Sequence, residues 1–357
     1  MTAAGVSVYG CTMGIKTAEE ISRAQDKASM ALHDLYNHIR ELSDGTVILF
    51  DVIEDYFFQD VQYEMLIGNA PMWMADGGRS PESGINKSWY EKYRRLYNDP
   101  MSHRVLHWFD VQNLLVAFQD RVMAVEYYLR DIFSVIPAYC LYKDSEYTDT
   151  LRILNDTSDK VHANINNVFV SLSSAFDLFT KVVYECSKYD PKSFATYNRL
   201  KSRKDGILYE KKNYGFDELK EPGLLYSEPS CIRTICSFRD EFIHCGAWDY
   251  RCAIYYPSID GEPVEPFIPM PDVEPTGVLV SSGSRNKFYA SGAKINTVLP
   301  ALVKDVLEVL SKTVKKFQEE LEKRLRPLSE KERVKNAERY IALLTKCLLS
   351  LSVIKEE

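Results

Sequence analysis

The stretch VHANINNVFVSLSSAFDLFTKVVYECSKY, Val161 to Tyr189, decides the fold class. Val161, Ile165, Val168, Leu172, Ala175, Phe176, Phe179, Val182, Val183 and Cys186 recur at steps of three and four. Asn164, Asn167, Ser171, Ser174, Lys181 and Glu185 occupy the remaining positions. That periodicity is a long amphipathic α-helix with one face turned to a core. Asp190-Pro191 ends it, because proline offers no amide to continue the ladder.

Similar patterns flank this helix. Thr17 to Leu42 reads as a helix opened by a Thr17/Glu20 capping box, with Asp44-Gly45 as its stop. Thr46 to Val52 is a short β-branched run with strand character. Residues 69–88 are rich in Gly, Pro, Asn and Ser and read as a loop. Ser102 to Val135 predicts a second long helix, ended by Pro137, and polar residues from Asp144 to Asp159 connect it onward. A shorter helix starts at Pro229 and stops at Gly246. Lys294 to Leu325 and Ser329 to Ile354 are two more helices, separated by Pro327.

Residues 250–290 break the helical periodicity. They hold an Asp260-Gly261 turn, and Val278-Leu-Val280 and Lys287-Phe-Tyr289 flank Ser282-Gly283-Ser284, a hairpin pattern. The expected architecture is mainly α, with a small β-hairpin insert. The expected division is an acidic, mostly helical region over 1–155, a helical domain over 156–326 with the insert at about 250–290, and a last helix over 327–357.

Composition narrows the function classes. The chain has 357 residues, is 45% hydrophobic, and carries 44 basic and 51 acidic side chains. That apolar content supports a sizeable core and excludes a disordered chain. The net charge of −7 is uneven: residues 1–150 hold 13 Lys+Arg and 22 Asp+Glu, and residues 151–357 hold 31 and 29. A polyanion partner would therefore meet the second part. The longest uncharged apolar run, Ile132 to Tyr142, is too short to span a bilayer and contains Pro137. The start lacks a basic region followed by an apolar run, so no secretory leader is expected. The eight Cys form no Cys-x-x-Cys pair, which suits a reduced, cytoplasmic protein. Cys231, Cys236, Cys245 and Cys252 have spacings that match no common zinc site, so no metal is expected.

One constellation carries chemistry. In Ser237-Phe-Arg239-Asp240-Glu-Phe-Ile-His244-Cys-Gly246, an Arg, an Asp and a His share the end of one helix. At 100° per residue, Asp240 and His244 lie four apart on nearly one face. Arg239 falls on the line of Ile232, Ile235 and Phe242, so it should be partly buried beside an anion. Asp177 and Glu185 are candidate partners for it, and Asp177 is the candidate supporting acid. The stretch 192–212 is basic, and Lys201, Arg203, Lys204, Lys211 and Lys212 are its candidate RNA contacts. The plainer alternatives are a helix C-terminal histidine held by the macrodipole, a structural Arg ion pair, and a solvated basic loop.

These residues resemble the HEPN superfamily, α-helical domains whose late helix carries Arg, a polar residue and then His. Arg239, Asp240 and His244 match that pattern residue by residue, and the resemblance covers roughly residues 156–326. It implies an antiparallel helical bundle, extended here by an additional N-terminal helical region. It also implies a metal-independent, cofactor-free endoribonuclease of toxin or phage-defence type. Such a protein works as a homodimer with two motif helices facing across a cleft, and an antitoxin or defence-system protein is a further partner. Arg239 and His244 would be catalytic, with Asp240 in support. His244 would act as acid or base, since imidazole titrates near neutrality, and Arg239 would hold phosphate oxygens. The alternative within the resemblance is a non-catalytic module that binds a nucleotide or a protein.

Overall fold

The computed structural model describes residues 13–15, 18–71, 73–74, 81, 84–138, 142–144, 151–204, 209, 215–246, 252–259, 262–263, 266–285 and 287–354. Its described residues are mainly helical. The helices are α1 (Ala18–Phe57), α2 (Tyr63–Gly68), α3 (Lys87–Leu96), α4 (Pro100–Ala138), α5 (Asp156–Lys188), α6 (Ser230–His244), α7 (Ile295–Glu322) and α8 (Glu330–Ile354). None is long and apolar enough to cross a membrane among the described residues.

Side chains near the helix starts set several boundaries. Asn155 Oδ1 accepts the amides of Thr157 and Ser158 at 3.0 Å, which starts α5 ahead of its apolar run. Asp99 Oδ1 accepts the Ser102 amide at 2.9 Å beside the start of α4. Ser329 and Glu332 share a hydroxyl–carboxylate bond of 2.5 Å at the start of α8.

The expected strand over 46–52 is helical: α1 runs unbroken through Asp44-Gly45. Leu42, Leu49, Val52, Ile53, Tyr56 and Phe57 are all buried at helical spacing. Burying that stripe outweighs the β propensity of a few branched residues and the small cost of one helical glycine.

The described chain forms two compact units, each discontinuous in sequence. The first draws on 1–44, 119–176 and 220–313, the second on 45–118, 177–219 and 314–357. In the second unit Phe57 stacks on Tyr189 at 4.0 Å, and Phe317 meets Phe179 and Phe216 edge-on at 5.9 and 5.1 Å. In the first unit, Phe169 and Phe176 of α5, Ile232, Ile235 and Phe238 of α6, and Val303 and Leu307 of α7 are fully buried.

Strands are short and paired in twos. β1 (Met13–Ile15) pairs with β2 (Tyr142–Asp144), β3 (Leu151–Ile153) with β4 (Ile254–Tyr256), and β5 (Ser258–Ile259) with β6 (Glu262–Pro263), all antiparallel. The expected hairpin between Val278-Leu-Val280 and Lys287-Phe-Tyr289 does not form. Val280 donates its amide to Asp272 O at 2.9 Å, and Asp272 donates its amide to Phe288 O at 2.7 Å. The backbone of Asp272 thus takes the bonds the two arms would have exchanged. Between the arms, among the described residues, only Ser282 and Arg285 bridge.

Candidate active site

The motif lies on α6, in the first unit. Ile232, Thr234, Ile235, Phe238 and Glu241 are its buried residues. Phe238 stacks on Phe169 of α5 at 4.8 Å, and Phe242 meets Phe169 edge-on at 5.5 Å. This aromatic contact fixes the rotation of α6 about its axis. The helix stops where expected: Cys245 donates its amide to Glu241 O at 2.9 Å, and Gly246 has a φ of 91°, a left-handed value that glycine adopts without Cβ strain.

That rotation sets what each motif residue meets. Arg239 is 18% exposed, and its Nη1 donates to Asp240 Oδ1 at 2.5 Å. The half-buried guanidinium thus has an anion, supplied by its chain neighbour. Asp240 and His244 are exposed. The His244 side chain has no hydrogen bond or ion pair among the described residues.

Gly277, Leu279 and Lys287 lie against α6. Ser237 Oγ accepts the Leu279 amide at 3.1 Å, and Lys287 Nζ lies 3.2 Å from the buried Glu241 Oε1. Gly277, at φ 92°, sits where a Cβ would come 2.1 Å from the Ser230 carbonyl oxygen. Ser230, Ser237 and Glu241 are seven and then four residues apart, within about 40° of one helical stripe. One hydrogen bond, one ion pair and one close backbone approach thus fall on one stripe of the motif helix. Glu241 also bonds the Cys245 side chain, and that bond with the carboxylate charge pushes the thiol up, away from a reactive thiolate.

The other expected site residues that are described belong to the second unit. Asp177 belongs to the second unit and pairs with Lys181 one turn along α5, at 2.7 Å. Lys201 and Arg203 are exposed, and Lys201 Nζ reaches the Lys188 carbonyl at 3.3 Å. The side chain of Lys204, and Lys211 and Lys212 altogether, lie outside the described residues.

Sequence reading missed a buried polar cluster in the second unit. Glu185 is fully buried: its Oε1 accepts the Ser202 amide at 2.6 Å and its Oε2 lies 3.2 Å from His107 Nε2. The His107 ring stacks on Phe194 and Tyr197 at 5.4 and 4.6 Å. Burial raises the Glu185 carboxyl, but the bonds from His107 and Ser202 outweigh it and hold the group below its usual range. By its spacing Glu185 reads as a polar-face residue. The available signal was its position about 60° from Val182, at the edge of the apolar stripe. Among the described residues no group of three or more His, Cys, Asp and Glu could hold a metal ion. No protein-family model, curated protein or solved structure matches the chain.

Proposed function

We propose that the chain is an endoribonuclease of HEPN type that cleaves RNA without a metal ion. One observation carries the reading: Arg239, Asp240 and His244 lie within the last two turns of α6, with His244 exposed and Arg239 paired to Asp240. Arg239 has a fork of donors for two phosphate oxygens, and a substrate phosphate would exchange with the Asp240 carboxylate for it. His244 takes the proton of the 2′-hydroxyl, the 2′-oxygen attacks phosphorus, and the 5′-oxygen leaves. Protonating that leaving oxygen needs an acid, which His244 of a second copy supplies in a two-fold dimer. The products are a 2′,3′-cyclic phosphate and a 5′-hydroxyl, and the need for a 2′-hydroxyl restricts the reaction to RNA.

The test is incubation of the purified chain with single-stranded RNA in EDTA, with end-group analysis. Cyclic phosphate ends that vanish in His244→Ala and in Arg239→Ala support the reading, and loss of all wild-type cleavage in EDTA overturns it. The Arg239–Asp240 pair favours one second reading, a non-catalytic module in which that pair is structural. Absence of cleavage by the wild type, with RNA or nucleotide binding intact, selects it.

A further inference from the structure

The second unit carries a basic surface that the motif chemistry does not use. Residues 191–204 hold five basic side chains and no acidic one, and residues 92–98 hold three and no acidic one. The two stretches meet: Arg94 Nη2, in the last turn of α3, donates to Asn198 Oδ1 at 2.5 Å. Arg95, Arg199, Lys201 and Arg203 are exposed, and Arg94 is half-buried. None of these five forms an ion pair among the described residues. The acids bordering the two stretches are engaged elsewhere. Glu91 pairs with Lys87 at 3.8 Å, Asp99 accepts the Ser102 amide, Asp110 accepts the Tyr197 hydroxyl, and Asp190 accepts the Lys192 amide at 2.9 Å.

The row is fixed ahead of any ligand. In the neutral ring of His103, buried on α4, Nε2 donates to Asn98 Oδ1 at 2.9 Å and Nδ1 accepts the Tyr197 amide at 2.8 Å. Buried Glu185 accepts the Ser202 amide at 2.6 Å, and Lys201 Nζ donates to Lys188 O at the end of α5. Between and beyond these anchors exposure alternates. Arg199, Lys201 and Arg203 are exposed, Leu200 is half-buried and Ser202 is buried. A backbone ordered in the fold spares that entropy on binding.

Pre-ordered cations without acidic partners match a polyanion of repeating charge. Four of the five are arginines, whose planar forks fit phosphate oxygens. No large hydrophobic side chain is exposed among the described residues of the row, so the row has no apolar group to insert into a bilayer. Trp89, the exposed aromatic of α3, lies about 140° around the helix from Arg94. We infer that Arg94, Arg95, Arg199, Lys201 and Arg203 form a binding track for the sugar–phosphate backbone of RNA, indifferent to base sequence. The inference rests on the ribonuclease reading and adds to it where the strand is held. The α3 arginines join the track through the Arg94–Asn198 contact, which links residues far apart in the chain.

The experiment titrates the full chain with a labelled 2′-O-methyl oligouridylate, which lacks the attacking hydroxyl and is not cut, at several salt concentrations. Arg199→Ala/Arg203→Ala should flatten the slope of log affinity against log salt by roughly 1.4, and adding Arg95→Ala by about 0.7 more. Arg199→Lys/Arg203→Lys should keep the slope, and an oligoadenylate with the same sugars should give the wild-type slope. The replaced side chains are exposed, so the melting temperature should stay within about 2 °C of the wild type. An equal-charge control, Arg40→Ala/Lys160→Ala on exposed residues of the first unit, should leave the slope unchanged. No binding by the wild type, an unchanged slope in the double variant, or an equal drop in the control overturns the track. So does a double variant that loses only binding to phosphatidylserine vesicles, which assigns the row to a membrane surface. The two readings separate cleanly. Slope-sensitive binding without cleavage keeps the track and removes the nuclease, and cleavage with variant-insensitive binding does the reverse.

Discussion

His107 Nε2 lies 3.2 Å from Glu185 Oε2, and both side chains are buried. With its second oxygen on the Ser202 amide, Glu185 joins α5, α4 and the start of the basic Lys201–Lys204 turn. Glu185→Ala leaves two buried donors without an acceptor and should cost at least about 2 kcal/mol, read as a lower urea midpoint. The folded carboxyl lies below its ordinary value of 4.5. Its contribution is therefore complete above that pH and lost as pH falls through the folded value. The acid limb of the stability curve should be shallower in Glu185→Gln than in the wild type.

Glu54 behaves in the opposite sense. Burial, then the charges of Asp51, Glu64 and Asp55, push its carboxyl up to about 7. The folded form binds the proton more tightly, so stability falls as pH rises from the ordinary 4.5 to about 7. Glu54→Gln should stabilise the chain at pH 8 and not at pH 5. Solvent screening of a half-buried carboxylate limits the gain to about 1 kcal/mol, measured by paired urea melts.

Gly277 tests the attachment of segment 266–294 to α6. Its φ of 92° and the 2.1 Å approach of a Cβ to the Ser230 carbonyl make both the backbone and the contact intolerant of a side chain. Gly277→Ala should cost about 1–3 kcal/mol or more. Faster amide exchange at Leu279, whose amide bonds Ser237, would report the detachment directly.

Arg239→Lys separates catalysis from packing. A lysine keeps the charge beside Asp240 and loses the bidentate fork. On the proposed ribonuclease reading, cleavage should fall at least about 10-fold, with a melting temperature within about 2 °C of the wild type. Equal cleavage by both proteins would remove Arg239 from the reaction.

Asp272→Ala should release the Phe288–Ser291 segment. Exchange at the Ala290 and Ser291 amides should speed up, while Phe238 and Phe242 in α6 keep their protection.

Several features were legible in the sequence. The apolar rows over Val161–Tyr189 and Lys294–Leu325, and the Pro229 and Gly246 boundaries, correspond to α5, α7 and α6 in the structure. Such signals are local: helical periodicity and cap chemistry act within a few residues. The failures share a cause. Residues 46–52 look like a strand until their buried partners are known, and the Val278 and Lys287 arms look like a hairpin until Asp272 takes their bonds. Glu185 looks solvated until Ser202 and His107 surround it.

By itself, the sequence determined a mainly helical chain, most of its long helices, and the placing of Arg239, Asp240 and His244 at the end of one of them. Spacing along a helix decides these, and spacing is written in the order of residues. Only the tertiary structure decided which anion Arg239 holds, that Glu241 is buried against Lys287, and that Phe288 and Tyr289 stay outside the core. The burial of Glu241 against Lys287 and the exposure of Phe288 and Tyr289 depend on contacts between residues far apart in the chain, and the pairing of Arg239 with its neighbour Asp240 depends on competition for each donor and acceptor; periodicity encodes neither.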